Sequence, residues 1–246
     1  MEFFQLEVTT TLVAFARIGT ALMFLPGFGE MRVPGRHRLA LGLILAMAMA
    51  PLVPMVLPDK PVVLALLLGK EALIGLYLGL GGRILFAALH VLGTIVAQVS
   101  SLSNAMAAGD SSYEGSTAIS SLLTVAGVAL VFLTDLHHLM LRGLWASYEV
   151  MPPAWVPLGD LAEAVVKLAA RSLYIAALLA APFHIMAVVL NLGLGLANRV
   201  MPAMPVFMVL GPVLVMMGLF LFMLAQPALL SQFFDLFAEF FMDYGR

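Results

Sequence analysis

The 246-residue sequence contains no cysteine, and only 11% of its residues are charged. The first absence excludes a disulfide framework and thiolate metal sites, while leaving the redox compartment open. The second excludes an ordinary soluble domain, in which about 25% of residues are charged. Neither sign of charge dominates: 12 Lys and Arg face 14 Asp and Glu, a formal net charge of -2. That balance offers no basic surface for nucleic acid and no polybasic patch for anionic lipid. The amino terminus, Met1-Glu-Phe-Phe-Gln-Leu-Glu7, is acidic. It lacks the basic region of a cleaved signal peptide, so the first apolar segment is expected to stay attached. No HExxH helix occurs, and Gly79-x-Gly81-Gly82 has neither the preceding strand nor the lysine of a phosphate-binding loop. No internal repeat suggests an inverted-repeat transporter.

What the chain does have is apolar length. It is 63% hydrophobic, with a mean hydropathy of +1.07. Crossing a hydrocarbon core takes about 20 apolar residues in helical form, and such runs recur. The short alternating segments of a transmembrane barrel do not. The fold class read from this is an all-α membrane protein.

A first helix is predicted from Val8 to Leu25, with Arg17 in its middle. A lone mid-span arginine costs about 2.5 kcal/mol or more in lipid, so Arg17 is expected to face protein or water. The basic connector from Arg32 to Arg38 argues for a cytoplasmic first loop. A second helix is predicted from Leu39 to Leu57. The stretch from Pro61 to Leu102 would reach about 60 Å as one straight helix, roughly twice the hydrocarbon thickness. It must bend, break or project. It carries Lys70, Glu71, Arg83 and His90, and Gly75 with Gly79 form a small-xxx-small pair suited to close helix contact.

From Ser100 to Thr117 the chain turns polar and small, with Asp110 and Glu114. Such a segment is either a solvated loop or a flexible element across an aqueous passage. A helix from Ala118 to Thr134 is expected next, with a helical continuation through Tyr148. After a proline-punctuated loop, Asp160 is placed as an N-cap with Glu163 in capping-box spacing. Glu163, Lys167 and Arg171 then recur at i,i+4 on an amphipathic helix. A helix from Ser172 to Ala197 is expected to be interrupted at Pro182. A turn from Asn198 to Pro205 leads into a last span from Val206 to Ala225. The acidic tail gathers Phe233, Phe237, Phe240 and Phe241 on one side, which suggests packing against a protein partner.

Asp135, His137 and His138 come closest to a catalytic or metal cluster. Adjacent helical histidines point about 100° apart, so satisfied polar residues near a helix end are the expected reading. No catalytic residue, metal ligand or cofactor is assigned, and the chain is not expected to be an enzyme. Arg17, Lys70, Glu71 and Arg83 could belong to a proton or ion relay, because intramembrane ionisable groups are functional candidates. Pairing between helices or subunits is the expected role.

The run Phe15-Ala-Arg17-Ile-Gly-Thr-Ala-Leu-Met-Phe-Leu-Pro26-Gly-Phe-Gly29, followed by Val33-Pro34-Gly-Arg36 and Leu39-Ala-Leu-Gly42, resembles the FliR family of flagellar export-gate subunits and its SctT relatives in virulence secretion. Glu71 to Gly79 is similar to that family's glutamate-to-glycine helix. Gly93, Gln98, Leu102-Ser103 and Asp110 match its central region, although Ser101 and Ser111 stand where the family has Gly and Pro. His138, Ser147 and Pro152, and then Pro182, Asn191, Gly195, Arg199, Pro202 and Phe207, continue the match in order.

The resemblance implies kinked helical hairpins, FliP-like over 1–160 and FliQ-like with an amphipathic acidic tail over 161–246, packed into a helical multi-subunit channel. It implies FliP-like and FliQ-like gate partners, FlhB-like and FlhA-like export components, the basal-body ring, and unfolded exported proteins as cargo. The location implied is the bacterial inner membrane within the flagellar basal body, with the complex projecting to the periplasmic side. The loop at about 102–118 would plug the pore, through Leu102, Ser103, Asn104, Met106, Gly109, Asp110, Ser111, Ser112, Glu114 and Gly115. Asn198, Arg199, Pro202 and Pro205 would form a cytoplasmic hairpin tip. The alternative function is an ion-coupled secondary transporter of a small solute, with a midplane site on Glu71 and Arg83.

Overall fold

The computed structural model describes residues 2–30, 33–53, 55, 57–58, 60–100, 114–153, 158–200 and 206–242, with backbone alone for 2–6, 114–117, 158 and 206–210. The elements are α1 (Glu2–Phe24), α2 (Gly35–Met49), a 3-10 turn (Ala50–Leu52), α3 (Pro61–Val99), α4 (Glu114–Leu133), α5 (Leu136–Val150), α6 (Leu158–Val200) and α7 (Val206–Met242). No strand occurs among the described residues. Four helices are long and apolar enough to cross a membrane, or five if the bent pair α4 and α5 counts as one span. The chain is an all-α membrane protein.

The helices are longer than their punctuation suggests. α3 runs unbroken for 39 residues through Gly79 to Gly82, about 58 Å at the helical rise. α6 continues for 43 residues through Pro182, and α7 for 37 residues through Pro212 and Pro227. The expected interruption at Pro182 and the expected end of the last span at Ala225 are both corrected. A proline removes one N–H from the ladder. Away from water, ending the helix would strand several backbone groups instead of one, so the helix continues. The amphipathic stretch after 160 is the first part of α6. Asp160 sits inside its first turn rather than at the N-cap, where its charge opposes the positive end of the helix dipole. Further on, Lys167 and Glu163 meet at 2.7 Å in an exposed pair. α2 begins at Gly35, four residues earlier than its apolar pattern, and gives way to the 3-10 turn at Pro51.

α4 and α5 meet at a 76° bend. Asp135, at φ 58, sits at the corner and is the one non-glycine with positive φ among the described residues. Aspartate tolerates this left-handed conformation better than most side chains because its short carboxylate can bond locally.

The contacts divide the chain into two compact units. The first comprises Met1–Leu85, Val128–Ala169 and Leu236–Arg246, and the second Phe86–Gly127 and Ala170–Asp235. In the first, Gly75 and Gly79 face α1. A β-carbon on Gly79 would lie 2.6 Å from the Ala21 carbonyl oxygen, and one on Gly75 would collide with Arg17 and Thr20. The tail belongs to this core as well. Phe240 covers Gly81, Phe241 covers Gly82 and Gly143, and Phe237 is 1% exposed. The expectation that the phenylalanine stripe packs on a partner is therefore corrected, because its own chain already buries it. In the second unit, Phe86 meets Phe233 edge to face at 5.4 Å, and Gly93 packs against Ser120 of α4. Outward faces stay apolar, including Ile185, Val188 and Leu192 of α6 and Met216, Phe220 and Met223 of α7. An apolar surface of that extent requires lipid or protein cover.

Candidate functional site

Arg17 and Glu71 are the two charged residues that are wholly buried among the described residues. Their positions follow from helical register. Arg17 shares the face of α1 that carries Val13, Ala14 and Ala21, and Glu71 shares that of Ile74 and Leu78 on α3. Each charge thus occupies a position in an apolar stripe, where an unpaired ion would be prohibitive. The close approach at Gly75 brings the two helices together beside them.

Every N–H of the guanidinium is used. Nε donates to Glu71 Oε2 at 2.7 Å and Nη2 to Oε1 at 3.1 Å, a side-on fork that only arginine can make. Nη1 donates to the Ser147 carbonyl at 3.0 Å and to Ser147 Oγ at 3.2 Å. Nη2 also reaches the Met151 carbonyl at 2.9 Å. Ser147 Oγ spends its own proton on the Leu144 carbonyl at 2.7 Å, which leaves its lone pairs facing Arg17. The Tyr148 ring lies 4.0 Å from the guanidinium carbon, in cation–π contact.

Ser147 and Met151 stand at the C-terminal end of α5, where the helix dipole is negative; the Ser147 carbonyl takes the closing Met151 amide at 2.9 Å as well as Arg17, and the Met151 carbonyl lies beyond the last helical residue. Arg17 is therefore both the counter-ion of α3 and the cap of α5. One side chain ties three helices together. Sequence reasoning did not find Ser147, Tyr148 or Met151 as its partners. Backbone acceptors carry no side-chain signature, and the available signal was Pro152-Pro153, which ends α5 just where Arg17 is needed.

The other ionisable residues of α3 do not join this centre. Lys70 is exposed, as are Arg83 and His90, and Arg83 has no ion-pair partner among the described residues. Glu71 and Arg83 are 12 positions apart on one helix, which separates them by about 18 Å along its axis.

Asp135, His137 and His138 do converge, with ligand atoms within 4.8 Å of one another. The two rings lie 4.1 Å apart, so the expectation that adjacent histidines diverge is corrected. Their position in the first turn after the bend brings the side chains together, and His138 Nδ1 reaches Asp135 Oδ1 at 3.5 Å. Asp135 and His138 remain 78% and 63% exposed. Tetrahedral zinc at its usual bond length would need ligand atoms about 3.3 Å apart.

Of the segment read as a pore plug, Leu102, Ser103, Asn104, Met106, Gly109, Asp110, Ser111 and Ser112 lie outside the described residues, while Glu114 and Gly115 open α4. Helix α4 thus begins four residues before Ala118. Of the hairpin tip, Asn198 and Arg199 lie in the last turn of α6, where Arg199 complements the dipole. Pro202 and Pro205 lie outside the described residues.

Residues 8–240 match the family model for bacterial export proteins, family 1. The chain is 35% identical over 237 residues to the flagellar biosynthetic protein FliR of Caulobacter vibrioides, covering 95% of this chain and 94% of that one. It is 30% identical over 235 residues to the FliR of Escherichia coli, covering 94% and 87%. Against the FliR of Bacillus subtilis it is 28% identical over 208 residues, covering 80% and 78%.

Proposed function

The chain belongs to the bacterial export proteins, family 1, and from that premise we propose that it is a noncatalytic subunit of the flagellar export gate. It forms part of the closed channel by which unfolded flagellar proteins cross the inner membrane. The observation that carries this reading is the agreement along nearly the whole chain with proteins named for flagellar biosynthesis. The fully engaged Arg17 centre supports it, because a buried charge with every donor satisfied inside the chain is suited to joining helices. Both oxygens of Glu71 are held by Arg17, which removes the free carboxylate that an ion-coupled transporter would need.

In this reading the partners are FliP-like and FliQ-like subunits, with FlhB-like and FlhA-like components at the cytoplasmic entrance near Asn198 to Pro205. The assembly stands within the basal-body ring and projects to the periplasmic side. The segment from Leu102 to Ala118 plugs the lumen, since small polar residues fill a narrow passage and leave it while losing few packed contacts. Lys70 and Arg83 lie exposed on α3, and in the proposed assembly this stretch pairs with neighbouring helices or subunits.

Deleting Asn104 to Gly115 tests the plug. The expected outcome is an assembled complex, recovered with its FliP-like and FliQ-like partners, through which sodium ions leak across the inner membrane. An assembled complex with unchanged permeability would contradict the assignment.

A further inference from the structure

Ser100 immediately follows the last residue of α3 and is wholly buried. Its amide still closes the helix on the Val96 carbonyl at 3.0 Å. Its side chain lies directly against Gly218 of α7. A β-carbon built on Gly218 would lie 3.1 Å from Ser100 Cα and closer still to the serine side chain. Seven residues earlier, Gly93 of α3 abuts Ser120 of α4, where an added β-carbon would fall 2.7 Å from the Ser120 amide nitrogen. All four residues belong to the same compact unit. The end of α3 is thus seated between α4 and α7 by contacts that leave no room for a methyl group.

The seat is tight in shape and unsatisfied in chemistry. A hydroxyl on a helix ordinarily returns its proton to the carbonyl four residues back. Thr94, Thr124 and Thr134 of this chain do so at 3.0, 2.8 and 2.7 Å. Ser100 Oγ makes no such bond and is buried without a hydrogen-bond partner among the described residues. A buried, unmade hydrogen bond weighs against the state that contains it, and the weight is lifted when the group gains a partner. Steric fit therefore favours the seated end of α3, whereas the orphan hydroxyl favours its departure.

We propose that the Ser100–Gly218 contact is a release joint, a pair of positioning residues that holds the end of α3 on α7 in the resting channel and lets it part during export. The inference rests on the reading of this chain as an export-channel subunit.

A size exchange across the contact tests it in cells carrying the assembled complex. Gly218→Ala pushes the seat apart, and sodium entry through the resting complex should rise several-fold. Adding Ser100→Gly restores the lost space and should return the leak to background. Ser100→Ala removes the orphan hydroxyl, which should slow export of flagellar proteins several-fold with complex recovery and resting leak unchanged. A purely structural contact would not separate these directions, since loss of folding lowers recovery and export together. If Gly218→Ala prevents assembly, the double variant and Ser100→Ala still decide. Background leak in an assembled Gly218→Ala complex, a leak that Ser100→Gly fails to correct, or unchanged export by Ser100→Ala would each overturn the joint. Flagellar export that persists when the whole chain is deleted would instead defeat the export reading itself.

Discussion

Removing either half of the Arg17–Glu71 pair strands the other in an apolar interior, at a cost of about 3–5 kcal/mol. Arg17→Ala and Glu71→Ala should each reduce the chain recovered from membranes to a small fraction of normal, as measured by its yield together with its partners. Arg17→Lys keeps the charge but loses the fork, so recovery should fall between that of the alanine variants and normal. The exchange Arg17→Glu with Glu71→Arg should fail to rescue. A carboxylate at position 17 would face the Ser147 and Met151 carbonyls, which are acceptors only. Full recovery by that exchange would show that the ion pair alone matters and that the cap on α5 does not. The need for a partner was legible in the sequence, because a mid-span arginine and a lone glutamate in an apolar helix are both costly. The carbonyl partners were not legible, since they depend on where α5 ends in space.

At the scale of elements, helix existence was readable and helix extent was not. Apolar runs located α1, α3, α6 and α7, but Pro182 was read with the weight it carries in water and the last span was ended at Ala225, short of Pro227. In a dry environment the remaining backbone bonds keep the helix whole. The tail shows the same limit: its phenylalanine stripe was plain, whereas what covers it depends on tertiary contacts. Because Phe237 and Phe241 are buried within the chain, each change to alanine should cost about 3–5 kcal/mol. Asp235→Ala, on the exposed side, should stay within about 0.5 kcal/mol. Thermal aggregation of the purified complex would rank the three. The α1–α3 contact gives a second comparison. Gly79→Val drives a side chain into Ala21 and Phe24 and should open the Arg17 centre to protease, whereas Gly69→Ala meets no atom within 4 Å and should be neutral or slightly stabilising. Equal protease sensitivity in both variants would contradict the close packing at Gly79.

For the whole molecule, low charge and long apolar runs were enough to fix the all-α membrane class. The order of small motifs along the chain was enough to place it in its family. The bend at Asp135 escaped the sequence reading because a single left-handed residue leaves no periodic trace. In the proposed channel, lipid or neighbouring subunits would cover the outward apolar faces of α6 and α7. The central claim is that flagellar proteins pass through a channel of which this chain is part. It is tested most directly by placing a photo-crosslinking residue at Asp110 and stalling export with a flagellar protein fused to a domain that cannot unfold. Light should join the stalled protein to this chain, and the adduct should vanish when the fused domain can unfold and export completes. Stalled export with no adduct at Asp110, or at any other position from Leu102 to Gly115, would contradict it.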